Sequence, residues 1–257
     1  MRRLPPDPLS MRAVWARRFA WFAAAVLAMG VLALRYQALP FQQGMVVLGA
    51  GVVVALLGLA LAAIALRQIW MIGARGISQA LVGFFLSLAL LVGPAALAVQ
   101  GVRTPPLHDI STDLGNPPGF SRSRAALTLR RGVIPAVSDL TERALQRQHY
   151  PDIQPVTLDM PPDEALPIVD ATIEALGWQV VERLPPSNRG APGRIDAVQS
   201  SLILRLPDDI AIRLTPLVSG TRVDIRSVSR YRNRDFGSNA RRVRDFLTEL
   251  QSQAKAK

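Results

Sequence analysis

Apolar positions run almost unbroken through three stretches of the first hundred residues, Val14 to Leu34, Gly44 to Leu66 and Ile77 to Val99. Each covers 21 to 23 residues, more than the roughly 18 that mark a candidate bilayer-crossing helix. Past residue 102 the pattern changes to short alternating runs separated by Pro, Gly, Asp and Ser. The chain is therefore expected to divide into a membrane anchor over 1–102, with three transmembrane α-helices at about 14–34, 44–66 and 77–99, and a soluble domain over 103–257.

Within the second part, the Pro-rich segment Arg103 to Pro118 predicts an extended strap. Ser138 to Gln148 predicts a short helix capped by Ser138, with Leu140, Ala144 and Leu145 inward. A stronger helix begins at Pro161-Pro162-Asp163-Glu164, carries the stripe Leu166, Val169, Ile173 and Leu176, and stops at Gly177. Pro167 in its second turn is expected to delay or kink it. Four strands follow: Trp178–Arg183, Arg194–Leu206 with Val198, Leu202, Leu204 and Leu206 on one face, Ile210–Leu217 after a tight turn at Pro207-Asp208-Asp209, and Arg222–Tyr231 after Ser219-Gly220. A last helix from Ser238 to Gln251 presents Ala240, Val243, Phe246, Leu247 and Leu250. Hairpin-linked strands flanked by helices predict a soluble α+β domain, an antiparallel sheet with helices packed on one face.

Charge refines the division. Of 30 basic and 19 acidic residues, eight Arg (2, 3, 12, 17, 18, 35, 67 and 75) and Asp7 lie before residue 103, leaving 22 basic and 18 acidic residues beyond it. The net +11 is thus mostly a property of the anchor, so no nucleic-acid partner is expected. Basic residues mark the cytoplasmic side of short loops. Five Arg precede or open the first span and two sit in the second connector, against one in the first connector. That asymmetry predicts a multi-pass protein of a bacterial inner membrane, N-terminus cytoplasmic and C-terminal domain periplasmic. The first segment is expected to be a retained span, since Leu32-Ala33-Leu34-Arg35-Tyr36 offers no small-x-small cleavage site.

Gly51, Ala55, Gly58 and Ala62 line one face of the second span, where small residues let backbones approach closely. Their partner is either a second copy of the chain or the first or third span. No Asp, Glu, Lys, Arg or His lies at the centre of any span. Transport and proton relay normally need such groups, so the helices read as an anchor in the lipid bilayer.

The stretches His108-Asp109-Ile110-Ser111-Thr112-Asp113, Asn116-Pro117-Pro118-x-Phe120, Tyr150-Pro151-Asp152-Ile153, Gly177-Trp178, Asp208-Asp209-Ile210, Asp224-Ile225-Arg226-Ser227-Val228-Ser229-Arg230 and Asp235-Phe236-Gly237-Ser238-Asn239-Ala240-Arg241-Arg242 occur in this order. Together they resemble the family called domain of unknown function 1499, over nearly all of 104–250, and the apolar N-terminal half is similar to its membrane-anchored members. The resemblance implies a domain boundary and no reaction.

The densest polar concentration, Asp224 to Arg244, holds the candidate ligand-binding residues Arg226, Arg230, Asn239, Arg241 and Arg242, with Arg232, Arg234 and Asp235 between them. With Asp109 and Asp113 from the strap they suggest an anion site, because helix N-termini offer free N–H groups and Arg forks match phosphate or carboxylate. The competing expectation is internal pairing of Arg226, Arg230 and Arg241 with Asp109, Asp113, Asp224 and Asp235. Lipid headgroup contact is a third. His108, Asp109 and Ser111 do not form a triad, since strand neighbours point to opposite faces. Two His and zero Cys leave little for zinc, and neither a metal nor a cofactor is expected. These readings favour a non-enzymatic envelope protein that binds an envelope partner or anionic ligand. The alternative is an envelope enzyme acting on phosphorylated or glycan material.

Overall fold

A computed structural model of the chain describes residues 9–187, 190–231 and 234–256. Arg2, Arg3, Asp7 and Arg232 lie outside the described residues. Two compact units emerge, one comprising the residues up to Gln100 with Ile203–Arg205, the other Gly101–Leu202 with Leu206 onward.

The first unit holds α1 (Met11–Arg35), α2 (Phe41–Ile72) and all but the last three residues of α3 (Ile77–Arg103). All three are long and apolar enough to cross a membrane. The buried face of α2 consists entirely of small residues, Gly44, Gly51, Ala55, Gly58, Ala62 and Ala65. A Cβ at Gly51 would stand 2.7 Å from the Leu27 side chain of α1, and one at Gly58 2.7 Å from Ser87 Oγ of α3. The stripe read from the sequence is thus packed against the chain's own helices. α3 passes through Pro94 without ending.

The second unit contains β1 (Asp109–Ser111), α4 (Arg124–Leu129), α5 (Leu140–His149), β2 (Val156–Leu158), α6 (Pro162–Ala175), β3 (Gln179–Leu184), β4 (Gly193–Ser200), β5 (Pro207–Leu217), β6 (Gly220–Ser229) and α7 (Ser238–Lys255). The strands form one antiparallel sheet in the order β1-β6-β5-β4-β3, with β2 pairing β6 beyond β1. Alternation sends Ile195 and Ala197, Ile210, Ile212 and Leu214, and Val223 and Ile225 to one face, where α6 and α7 cover them. Ile168, Val169 and Ile173 from α6 and Val243, Phe246 and Leu250 from α7 complete that core. Trp178 stacks on Phe246 with ring centroids 5.6 Å apart. Gly220 is required where β2 crosses the β5–β6 turn: its φ is +152°, and a Cβ would collide with the Leu158 carbonyl.

The α+β architecture matches the sequence reading, with local differences. The strap is not merely extended, because Asp109–Ser111 joins the sheet. Asp139, rather than Ser138, caps α5 by accepting from Glu142 N at 2.8 Å. Leu140 and Ala144 face solvent, and the residue that α5 buries is Gln146. Its side-chain amide accepts from Ser111 N at 3.1 Å and donates to Ser111 O at 2.7 Å. Helix α6 runs through Pro167. Strand β4 ends at Ser200, so Leu202 lies exposed in a loop. Pro207-Asp208-Asp209 is not a turn but the paired start of β5.

In the first unit, a Cβ at Gly83 would lie 2.8 Å from the Ala16 backbone carbon, whereas one at Gly49 would meet nothing within 4 Å. Gly83→Leu is expected to force α3 from α1 and cost about 1–3 kcal/mol, seen as a thermal midpoint several degrees lower in detergent. Gly49→Leu leaves the midpoint unchanged.

Candidate functional site

The sheet face turned away from α6 and α7 is charged. Register places Asp196 (β4), Asp209 and Arg213 (β5), and Asp224 and Arg226 (β6) on it, all but Arg213 buried. The segment Thr112–Val137, which includes α4, covers this face and contributes Asp113, Phe120, Ser121 and Arg130. Burying an ionised group is tolerated only when it is paired and hydrogen-bonded, and the layer meets that requirement by three linked arrangements.

At the β1 edge, Arg226 Nε and Nη2 donate to Asp109 Oδ1 and Oδ2 at 2.9 and 2.7 Å, a two-point fork. Ser138 Oγ donates to the same carboxylate at 2.6 Å, and the Ala136 carbonyl accepts from Arg226. In the middle, Arg130 donates to Asp196 at 2.6 Å, Asp209 at 3.3 Å and the Ser121 carbonyl at 3.1 Å. Arg230 donates both Nε and Nη2 to Asp209, at 3.0 and 2.6 Å, and Nη1 to the Leu129 carbonyl at 2.8 Å. Phe120 fills the space between, with the Arg130 and Arg226 guanidinium carbons 4.8 and 5.1 Å from its ring centroid. Such placement is favourable because the ring face is negative. At the far side, Arg213 and Arg222 each donate to Asp113 at 3.0 Å and to Asp224 at 2.9 Å.

A second polar knot sits under α7. Arg242 donates to Asp208 at 2.7 Å, to Gln199 at 2.5 Å and to Ser227 at 2.8 Å, and also to the Asn239 side-chain oxygen. Asn239 Nδ2 donates to the His108 carbonyl at 2.8 Å and Ser229 Oγ at 3.0 Å. The N–H groups that open α7 are answered by the chain itself: Asp235 accepts from Gly237 N at 2.9 Å and Asn239 N at 2.6 Å. An acidic side chain there satisfies both the free donors and the positive helix end.

The candidate residues therefore do not converge on one opening. Arg226 and Asp109 meet, but as a buried pair. Asp113 lies with Arg213 and Arg222, while Asn239 and Arg242 occupy the other face of the sheet. Arg230 turns to Asp209, a partner the sequence reading did not name, and the Arg241 side chain is exposed. Arg130, Phe120, Asp196 and Arg213 were also missed. The signal available was Pro207-Asp208-Asp209, where two acids run directly into the apolar Ile210-Ala211-Ile212 and demand cations from elsewhere. His108 Nδ1 stands 3.4 Å from Glu142 Oε1. Ser111 Oγ donates to the Asp113 carbonyl at 3.1 Å, which leaves no nucleophile–base pair in that stretch. Among the described residues no group of His, Cys, Asp or Glu is arranged to hold a metal.

Burial pushes the Asp113 carboxyl upward, but the Asn116 N–H and the Arg222 and Arg213 charges outweigh it and hold the group below the usual carboxylate range. Burial likewise works against the Arg230 charge, yet the hydrogen bonds and charge of Asp209 keep its guanidinium above its ordinary value. On the surface, the Arg244 fork holds Asp152 below its ordinary value, with Nε–Oδ2 and Nη2–Oδ1 at 2.5 and 2.8 Å.

The class defined by these features is an α+β domain, stitched by arginine–aspartate pairs, that follows three helices able to cross a membrane. Residues 109–250, more than half of the chain, match a family model described as a protein of unknown function, DUF1499. The chain belongs to this family. No curated protein matches it.

Removing one member of a buried pair strands the other charge, at about 3–5 kcal/mol. Arg226→Ala and Asp109→Ala are each expected to lower stability by that amount in urea titrations followed by tryptophan emission, while Arg241→Ala stays within about 0.5 kcal/mol. The acid limb has a definite sign. Because the Asp113 pKa is depressed by folding, its contribution is complete above the ordinary carboxylate range and disappears as pH falls through the lowered value. Thermal midpoints measured from pH 7 to pH 3 are expected to show Asp113→Asn less stable at neutral pH and converging with the parent protein in acid.

Proposed function

We propose that this protein is a non-enzymatic adaptor of the cell envelope: the three helices fix it in the inner membrane, and the domain stands on the outer side, where it binds another envelope protein. The observation that carries this reading is the consumption of the candidate arginines. Arg226, Arg230 and Arg242 spend their donors on Asp109, Asp209 and Asp208, so an anionic substrate at Arg226 or Arg230 would have to displace buried carboxylates. The enzyme alternative thereby loses the residues that were to grip phosphorylated or glycan material.

The same pairs support a binding role. They hold the cover segment in place although it has little regular structure, and its outer side leaves Leu129, Val133, Ile134 and Val137 exposed, with Leu140 beside them. Arg122, Arg124 and Arg131 flank this stretch and are exposed too. Apolar residues rimmed by polar ones are characteristic of protein–protein contact sites, and the basic rim fits an acidic partner surface. The outward orientation draws its support from the asymmetry of Arg in the connectors.

Two measurements test the reading. A reporter fused to the C-terminus is expected to give an active phosphatase and a dark green fluorescent protein; the reverse pattern removes the envelope role. A photo-crosslinking residue at 133 or 137 is expected to yield in living cells one discrete protein adduct that Arg124→Glu with Arg131→Glu diminishes. If the adduct never forms, this surface is not the binding site.

A further inference from the structure

The register of the sheet determines the end at which the chain enters it. Asp109, first in β1, pairs with Val228, Val228 with Asp209, and Asp209 with Val198, so these residues form one row. Strands β4 and β5 continue past that row through the pairs Gln199–Asp208 and Ser200–Pro207. At roughly 3.3 Å per residue the hairpin has advanced about 7 Å further before it turns. Only Thr104–His108 separates the end of α3 from β1, a reach of at most about 18 Å. The β4–β5 hairpin therefore projects past the row where this short tether joins the sheet.

The tip is unusual for a water-facing turn. Leu202 is 89% exposed and Ile203 66%, and Arg205 beside them is exposed. The bonds from Asn239 to the His108 carbonyl and Ser229 Oγ bring the start of α7, and with it the exposed Arg241, to the same end. Two large aliphatic side chains with neighbouring guanidinium groups match the boundary between acyl chains and phosphates, where apolar residues enter and Arg remains at headgroup level. The β5–β6 turn at the other end of the sheet also exposes an aliphatic residue, Val218 at 110%, but the tether does not enter there.

We propose that the β4–β5 hairpin tip is a membrane-contact finger: Leu202 and Ile203 enter the lipid interface while Arg205 and Arg241 bind headgroup phosphates, so that the domain docks on the bilayer instead of hanging free on its strap. This rests on the helices spanning a membrane, and not on the identity of any protein partner.

The chain has no cysteine, so single labels are unambiguous. Full-length Ile203→Cys and Val218→Cys proteins, each carrying an environment-sensitive fluorophore, are placed in nanodiscs of phosphatidylcholine and phosphatidylglycerol containing nitroxide-labelled lipid. Expected is blue-shifted emission at 203 with quenching several-fold stronger than at 218, reduced when Arg205→Glu is added or phosphatidylglycerol is omitted. Equal quenching at the two positions in a protein that co-elutes with nanodiscs overturns the finger alone. A protein that does not co-elute with lipid overturns the membrane reading as well.

Discussion

The domain depends on matching charges that its own strands turn inward. Asp196, Asp209, Asp224 and Arg226 are placed by alternation on a sheet face that is then covered. Each unmatched carboxylate or guanidinium there would cost several kcal/mol. The matching is supplied across long sequence separations, Arg130 reaching Asp196 and Asp209 while Asp109 reaches Arg226. What covers the face need not be a helix with an apolar stripe. It must only deliver Arg130, Phe120, Ser121 and Asp113 to set places, and an irregular segment held by discrete polar bonds does that.

The two faces of the sheet thus obey different physics. Toward α6 and α7, apart from the Arg242 knot at the start of α7, the driving force is removal of aliphatic and aromatic surface from water, which is indifferent to orientation. Toward the cover, each contact has a direction and a partner. Directional networks of this kind add little net stability relative to an apolar core, and their best-attested service is to select one arrangement over others. For a segment with little secondary structure that selection is what gives it a defined outer surface.

The same contrast decides what the residues revealed in advance. Length and hydropathy made α1, α2 and α3 legible, and α7 was legible from Ala240, Val243, Phe246 and Leu250, because periodicity follows from burying one stripe. Strand β6 was placed within two residues of its bounds, yet every residue from Val223 to its end is buried, a condition that composition does not separate from a surface-facing arginine row. Asp208 and Asp209 resembled a turn because acids usually sit in water. Arg242 on one side, and Arg130 and Arg230 on the other, supply the cations that let them be strand residues. Arg226 with Asp109 was within reach of reasoning from the shared face. Arg230 with Asp209 was not, since that pairing depends on how β5 lies beside β6. At the start of α7, where the sequence suggested an anion, Asp235 already accepts from the free N–H groups.

The bond between Gln146 and β1 has a consequence for crowding. Strand β1 lies on the rim of the sheet, and an open rim invites pairing with another copy. Proteins confined to a bilayer meet one another far more often than the same number of molecules in bulk solution. Gln146 offers Ser111 both the acceptor and the donor that a foreign strand would bring, acting as a one-residue blocking strand. The opposite rim, β3, is interrupted by a register shift between Val180 and Glu182 and bears Glu182 and Arg183, two further deterrents to strand addition. With β1 and β3 both blunted, crowding has fewer strand edges to exploit.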